Sequence, residues 1–152
     1  MHRIGVVALA VCCFAFMATQ AMAREYLKLD AAQTRGFSLG TVTEGGKIVW
    51  LAGHTALRDE DGKSLLGDTA GQARAIFRAM QRTLKRAGAD LKDLTVITVY
   101  LTDPRDLDSL IPVRREFFPD GNFPASTSIT VANLPQPGMV VEISGIAVIG
   151  DK

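Results

Sequence analysis

Apolar and polar positions recur along this chain with two different periods, and the switches between them outline its elements. Residues 37–43 read as a first strand, ended by Gly45-Gly46, a pair that takes positive φ at little steric cost and so turns a hairpin. Residues 47–53 (KIVWLAG) form a short, continuous apolar run, which predicts a strand covered on both faces with Trp50 as a core residue. Residues 57–67 are polar and loop-like, with the turn signal Asp61-Gly62. From Asp68, a good N-cap, the period becomes helical. Ala70, Ala73, Phe77, Met80, Leu84 and Ala87 share one stripe, Arg74, Arg78, Arg82 and Lys85 take the wet side, and Gly88 closes the helix.

The β-branched run at residues 94–101 (LTVITVYL) predicts a central strand, stopped by Asp103-Pro104. A second helix is expected over residues 106–118, and its Pro112 means either a kink or a proper start only near Leu110. Two strands follow, at residues 126–134 and 139–149, joined by the turn-rich LPQPG at residues 134–138. The order is β-β-α-β-α-β-β, an α+β single domain in which a mixed sheet carries two helices on one face. The other face keeps apolar residues that a single chain would leave wet. That predicts an oligomer.

The N-terminus adds an address. Residues 1–3 supply a positive start, residues 4–17 are almost unbroken apolar, and Ala21-Met22-Ala23 is a small-x-small cleavage site. Residues 1–23 are therefore expected to be a removable signal peptide, and residues 24–152 the working domain, periplasmic or secreted. The apolar run is shorter than the roughly 20 residues of a spanning helix, so no stable membrane anchor is expected after cleavage. Lipid attachment at Cys12 is disfavoured because Val11, not a small residue, precedes it.

Cleavage changes the chemistry available. Of 152 residues, 129 remain, and both cysteines leave with the leader. His54 becomes the one histidine, and 16 basic residues face 16 acidic ones, since Arg3 is the leader's only formal charge. Disulfides, thiol nucleophiles and cysteine-based metal sites are excluded from the mature part. A neutral balance also argues against nucleic acid as a partner.

The residues carry a resemblance. Gly36-Phe37-Ser38, residues 49–53 (VWLAG), Gln72-Ala73-Arg74 and Arg115-Glu116-Phe117-Phe118 come in order. They are followed by Phe123-Pro124-Ala125, residues 131–135 (VANLP), Val141-Glu142-Ile143 and residues 145–148 (GIAV). In this order and near-gapless spacing the mature chain resembles the Rid family of reactive-intermediate deaminases. The resemblance implies a chorismate-mutase-like fold, a homotrimer around a central barrel, and small-molecule clefts between subunits. It implies cofactor-independent hydrolysis of imines or enamines, with one arginine holding the substrate carboxylate and a glutamate helping to place water.

The match departs at the chemistry. The family arginine position is Ser126, the water-handling glutamate position Ser144, the family cysteine Ser128, the family tyrosine Phe37, and a frequent asparagine Ile111. Substrate-binding candidates are therefore Phe37, Gly53, Ser126, Ser128, Ser144 and Arg35. His54, after the strand-ending Gly53, is the catalytic candidate as a general base, set against a hydrogen-bonded loop histidine. A triad of the three serines with His54 and Glu142 is disfavoured, since no Gly-x-Ser-x-Gly elbow exists. Arg35, Arg58 and Arg114 are the replacement guanidinium groups, with Arg35 favoured and Arg114 expected on a solvated outer helix face. Two functions follow: hydrolysis of reactive imines or enamines with altered substrate choice, or a non-catalytic trimer that binds a small metabolite.

Overall fold

The computed structural model describes residues 24–150, so the expected leader lies outside the described residues. Two short elements open the chain, strand β1 (Glu25–Leu27) and helix α1 (Asp30–Thr34), neither of which the pattern announced. Strand β2 (Gly40–Val42) pairs antiparallel with β1 to form a small two-stranded sheet. Strand β3 (Lys47–His54), helix α2 (Thr69–Arg86) and strand β4 (Leu94–Leu101) follow close to their expected bounds. Then come helix α3 (Leu110–Phe117) and strands β5 (Ala125–Thr130) and β6 (Val141–Ile149).

The main sheet has the order β3-β6-β4-β5. β4 and β5 run parallel, joined by the α3 crossover, and the other pairs are antiparallel, so the sheet is mixed. β4 is interior, as its β-branched run predicted. α2 begins where the Asp68 carboxylate accepts the Gly71 amide at 2.9 Å, an N-cap worth about 1 kcal/mol. Pro112 neither kinks nor breaks α3, because the chain approaches it as a 3-10 turn (Pro104–Ser109) and starts the α-helix at Leu110. Proline there sits in the first turn, where its missing amide costs little.

Both helices lie on one face of the main sheet. Ile76, Phe77, Met80 and Leu84 of α2 meet Ile97, Val99 and Leu101 of β4 and Val141 and Ile143 of β6, all fully buried. Phe77 packs at a tilt against Phe117 and edge-on against Phe118, with ring centroids 5.1 and 5.8 Å apart, fastening the two helices together.

The opposite face corrects one expectation. KIVWLAG is apolar along its length, yet β3 is an edge strand and is not covered on both sides. Val49 and Leu51 face the helices, while Ile48 and Trp50 project outward, with Trp50 74 % exposed rather than in the core. Ile129 of β5 is exposed on the same outer face, which the pairing of Tyr100 with both Glu142 and Ile129 identifies. The apolar residues read as core thus belong to a surface that one chain leaves bare.

Candidate functional site

Strand alternation sorts the candidates before any contact is considered. Ser126 pairs with Ile97 and Ser128 with Val99, whose side chains enter the helix-side core, so both serines point to that face. β5 is the sheet edge, and among the described residues no strand fills the space beyond it. That space is a cavity of about 240 Å3, lined by Arg35, Phe37, Leu107, Ile111, Arg114, Ser126 and Ser128. Four sequence candidates, Arg35, Phe37, Ser126 and Ser128, therefore converge.

The loop carrying Arg35 and Phe37 is fixed at several points. Gln33 Nε2 donates to the Phe37 carbonyl at 3.0 Å, the Ser38 amide donates to the Pro124 carbonyl at 3.2 Å, and Arg115 Nη2 donates to the Thr34 carbonyl at 2.8 Å. Between them Gly36 takes φ +74°, and a Cβ there would lie 3.2 Å from Arg114 Cβ and 3.3 Å from its Cδ. The glycine is thus both a turn residue and the floor on which the Arg114 stem rests.

Arg114 is the residue that the sequence pattern misplaced. It is not on a solvated outer face but 4 % exposed, with its Nη2 donating to Ser126 Oγ at 3.1 Å. Its position had a signal. Leu110, Val113, Arg114 and Phe117 follow the i, i+3, i+4, i+7 stripe, so Arg114 falls on the apolar face of α3 once its charge is disregarded. Leu107 and Ile111, one turn apart along the same approach, bring apolar side chains to the same cavity.

No carboxylate offsets this buried charge: among the described residues Arg114 has no acidic partner. Burial, and secondarily repulsion by Arg35, hold its pKa well below the usual guanidinium range, at about 10. No sealed side-chain nitrogen lacks a partner, so the Arg114 donors that do not reach Ser126 open onto the cavity. A forked cation with unused donors, buried without a counterion, can seat an anion. Arg35 stands at the mouth, half exposed, its Nη2 2.8 Å from Asp108 Oδ1.

The remaining candidates lie elsewhere on the chain. His54 ends β3 on the helix side of the opposite sheet edge, with Nδ1 2.8 Å from the Ala52 carbonyl and Nε2 3.2 Å from Thr83 Oγ1. Gly53 lies on the outer face against Glu142, where an added Cβ would fall 1.8 Å from Glu142 Oε1. Ser144 pairs with Thr98 on that same outer face. The Glu142 carboxylate makes no hydrogen bond or ion pair among the described residues. Arg58 caps its own loop by donating to the Gly62 carbonyl at 2.8 Å and does not line the cavity.

The comparisons agree with this architecture. The family model described as endoribonuclease L-PSP matches residues 30–149. The chain is 30% identical over 105 residues to the 3-aminoacrylate deaminase RutC of Acinetobacter baylyi, covering 69% of this chain and 82% of that protein. It is 29% identical over 104 residues to the human 2-iminobutanoate/2-iminopropanoate deaminase, with 68% and 74% covered. Among solved structures, the Rid-family protein YyfB of Yersinia pestis matches with a TM-score of 0.72 and 21% identity, over 84% of this chain and 100% of that one. At that identity the likeness speaks for the fold.

Proposed function

The chain belongs to the Rid family, the endoribonuclease L-PSP family of its matching model, and from that premise we propose that it binds small 2-imino or enamine acids and hydrolyses them. The observation that carries this reading is Arg114. The family's strand arginine is absent at Ser126, yet a guanidinium from α3 reaches the same hydroxyl across the cavity. Ser126, being small, leaves the room that the helix arginine fills. A carboxylate seated there takes the open donors of Arg114, while Ser126 and Ser128 offer hydroxyls to the imine nitrogen or to water. The reaction adds water across the C=N bond and then breaks the C–N bond. HN=C(R)COO⁻ and H2O thus become O=C(R)COO⁻ and NH3.

The cavity lining of one chain holds no acid or base for that water. The reading therefore includes a closed homotrimer. The two open edges of the main sheet, β3 and β5, carry the two halves of the candidate set, and the bare outer face bearing Ile48, Trp50 and Ile129 needs a cover. A ring that sets the Gly53–Glu142 corner of one copy beside the Ser126–Ser128 edge of the next supplies the unpaired Glu142 carboxylate as the water-placing group. Export of the mature domain after cleavage at Ala23 belongs to the same proposal; it is supported by the leader pattern.

The test is ammonia release from freshly generated 2-aminoacrylate and 2-iminobutanoate by the purified mature chain. Turnover that Arg114→Met abolishes supports the reading. No turnover with either imine defeats it. A binding-only trimer is the second reading, favoured by the absence of an acid or base in the single-chain cavity. Its mark is a ligand that raises the melting temperature without being consumed.

A further inference from the structure

The cavity has two cationic corners and, in its lining, no acidic one. Arg114 spends one donor on Ser126, and Arg35 spends one, Nη2, on Asp108. Each guanidinium has five donors, so both keep capacity for a second acceptor. Asp108 does not line the cavity, and its pair with Arg35 is exposed on both sides, at 48 % and 74 %. Such a pair is worth little in water, and a better-placed anion displaces or shares it readily. Inside, the two positive charges are near enough for Arg35 to oppose the charge on Arg114. A single carboxylate would leave one of them without an anion in the cavity. Between the two lie Phe37, Leu107 and Ile111, which offer apolar surface and nothing for a polar chain to bond.

We infer that Arg35 is a second anion seat, and that the cavity selects acids with a carboxylate at each end of a short hydrocarbon spacer. In the proposed reaction these are 2-imino dicarboxylates, whose products are 2-keto diacids. The inference rests on the reading of Arg114 as the first seat. The charged ends pair with Arg114 and Arg35, and the methylenes lie against the Phe37, Leu107 and Ile111 walls. Exposure fits the role as well. Arg114, almost sealed, acts as the fixed anchor, and Arg35 at the mouth acts as the gatekeeper that reads the far end.

Binding of the stable 2-keto acid products 2-oxoglutarate and 2-oxobutanoate to the full mature chain, measured calorimetrically, tests this. The diacid is expected to bind at least tenfold more tightly, and Arg35→Gln to erase that advantage, leaving the two acids bound with similar affinity. Arg35 is exposed, so the variant is expected to fold, and its melting curve checks that independently. Equal affinities, or a diacid advantage that survives Arg35→Gln, overturn the second seat while leaving Arg114 as a carboxylate anchor. Failure of both acids to bind overturns both readings. Loss of 2-oxobutanoate binding in Arg35→Gln also counts against the inference, because it would make Arg35 the first seat.

Discussion

Replacing Arg114 by methionine should make the protein more stable and unable to hold its ligand. The guanidinium is buried beside one serine hydroxyl, with no counterion. A fall from the ordinary guanidinium range to about 10, at about 1.4 kcal/mol per pKa unit, puts the cost of keeping the charge there on the order of 3 kcal/mol. Methionine removes that cost and keeps most of the stem that packs on Gly36. It gives up the hydrogen bond to Ser126, worth about 1.5 kcal/mol when the donor is charged, and it refills the volume imperfectly. The balance is a gain of about 1 kcal/mol, or roughly 4 °C in melting temperature for a domain of this size. Ligand binding should move the other way. Losing a two-pronged charged contact, at about 1.5–3 kcal/mol per bond, weakens a carboxylate by roughly a hundredfold or more. The assay is a melting curve at fixed protein concentration, without and with saturating 2-oxobutanoate. The wild type should show the larger ligand-induced rise and the variant the higher starting point. A variant that melts lower than wild type and still responds fully to ligand would refute the reasoning, since Arg114 would then be a structural residue.

Other expectations follow from the same geometry. The pH dependence has a definite sign: the unliganded Arg114 charge is intact below about pH 10 and lost above it. Carboxylate affinity should hold from neutral pH to about 10 and then fall, while the buried-charge cost to folding is fully present below about 10 and relieved as pH rises toward the unfolded value. Titration calorimetry across that range checks the first part, and a flat profile to pH 11 contradicts it. Gly36→Ala should cost about 1–2 kcal/mol, because alanine must adopt φ +74° with its methyl pressed on the Arg114 stem; unfolding in urea measures it, and ligand affinity should drop with it. Trp50→Ser should convert the proposed trimer to monomer in sedimentation experiments while leaving the far-ultraviolet spectrum unchanged, since Trp50 lies on the bare sheet face. Gly53→Ala should drive Glu142 from its place; turnover should fall, with 2-oxobutanoate binding at Arg114 little affected.

Much of the architecture was legible because its causes are local. The helical stripe from Ala70 to Leu84, the Asp68 cap, the β-branched run of β4 and the glycine turns each write their geometry into a few neighbouring residues. The start of α3 at Leu110 is one of the two outcomes that Pro112 left open. Phe37, Ser126, Ser128 and Arg35 were legible through position in a family pattern, and the cavity gathers them. The pattern did not reveal β1 and α1, which are too short to carry a period of their own.

What the tertiary structure decided is which neighbours a side chain meets. Arg114 is cationic, and charge ordinarily places a helical residue in water. Its burial depends on Gly36, 78 positions earlier in the chain, and on Ser126, on a strand beyond the crossover. Trp50 shows the reverse. An apolar run predicts burial in something, but only the sheet order β3-β6-β4-β5 shows that its outer side is open. Periodicity fixes the direction a side chain takes from its own backbone. Long-range packing sets the dielectric, the partners and the free space it finds there, and in this protein those bring a helix arginine into the lining of the candidate cavity.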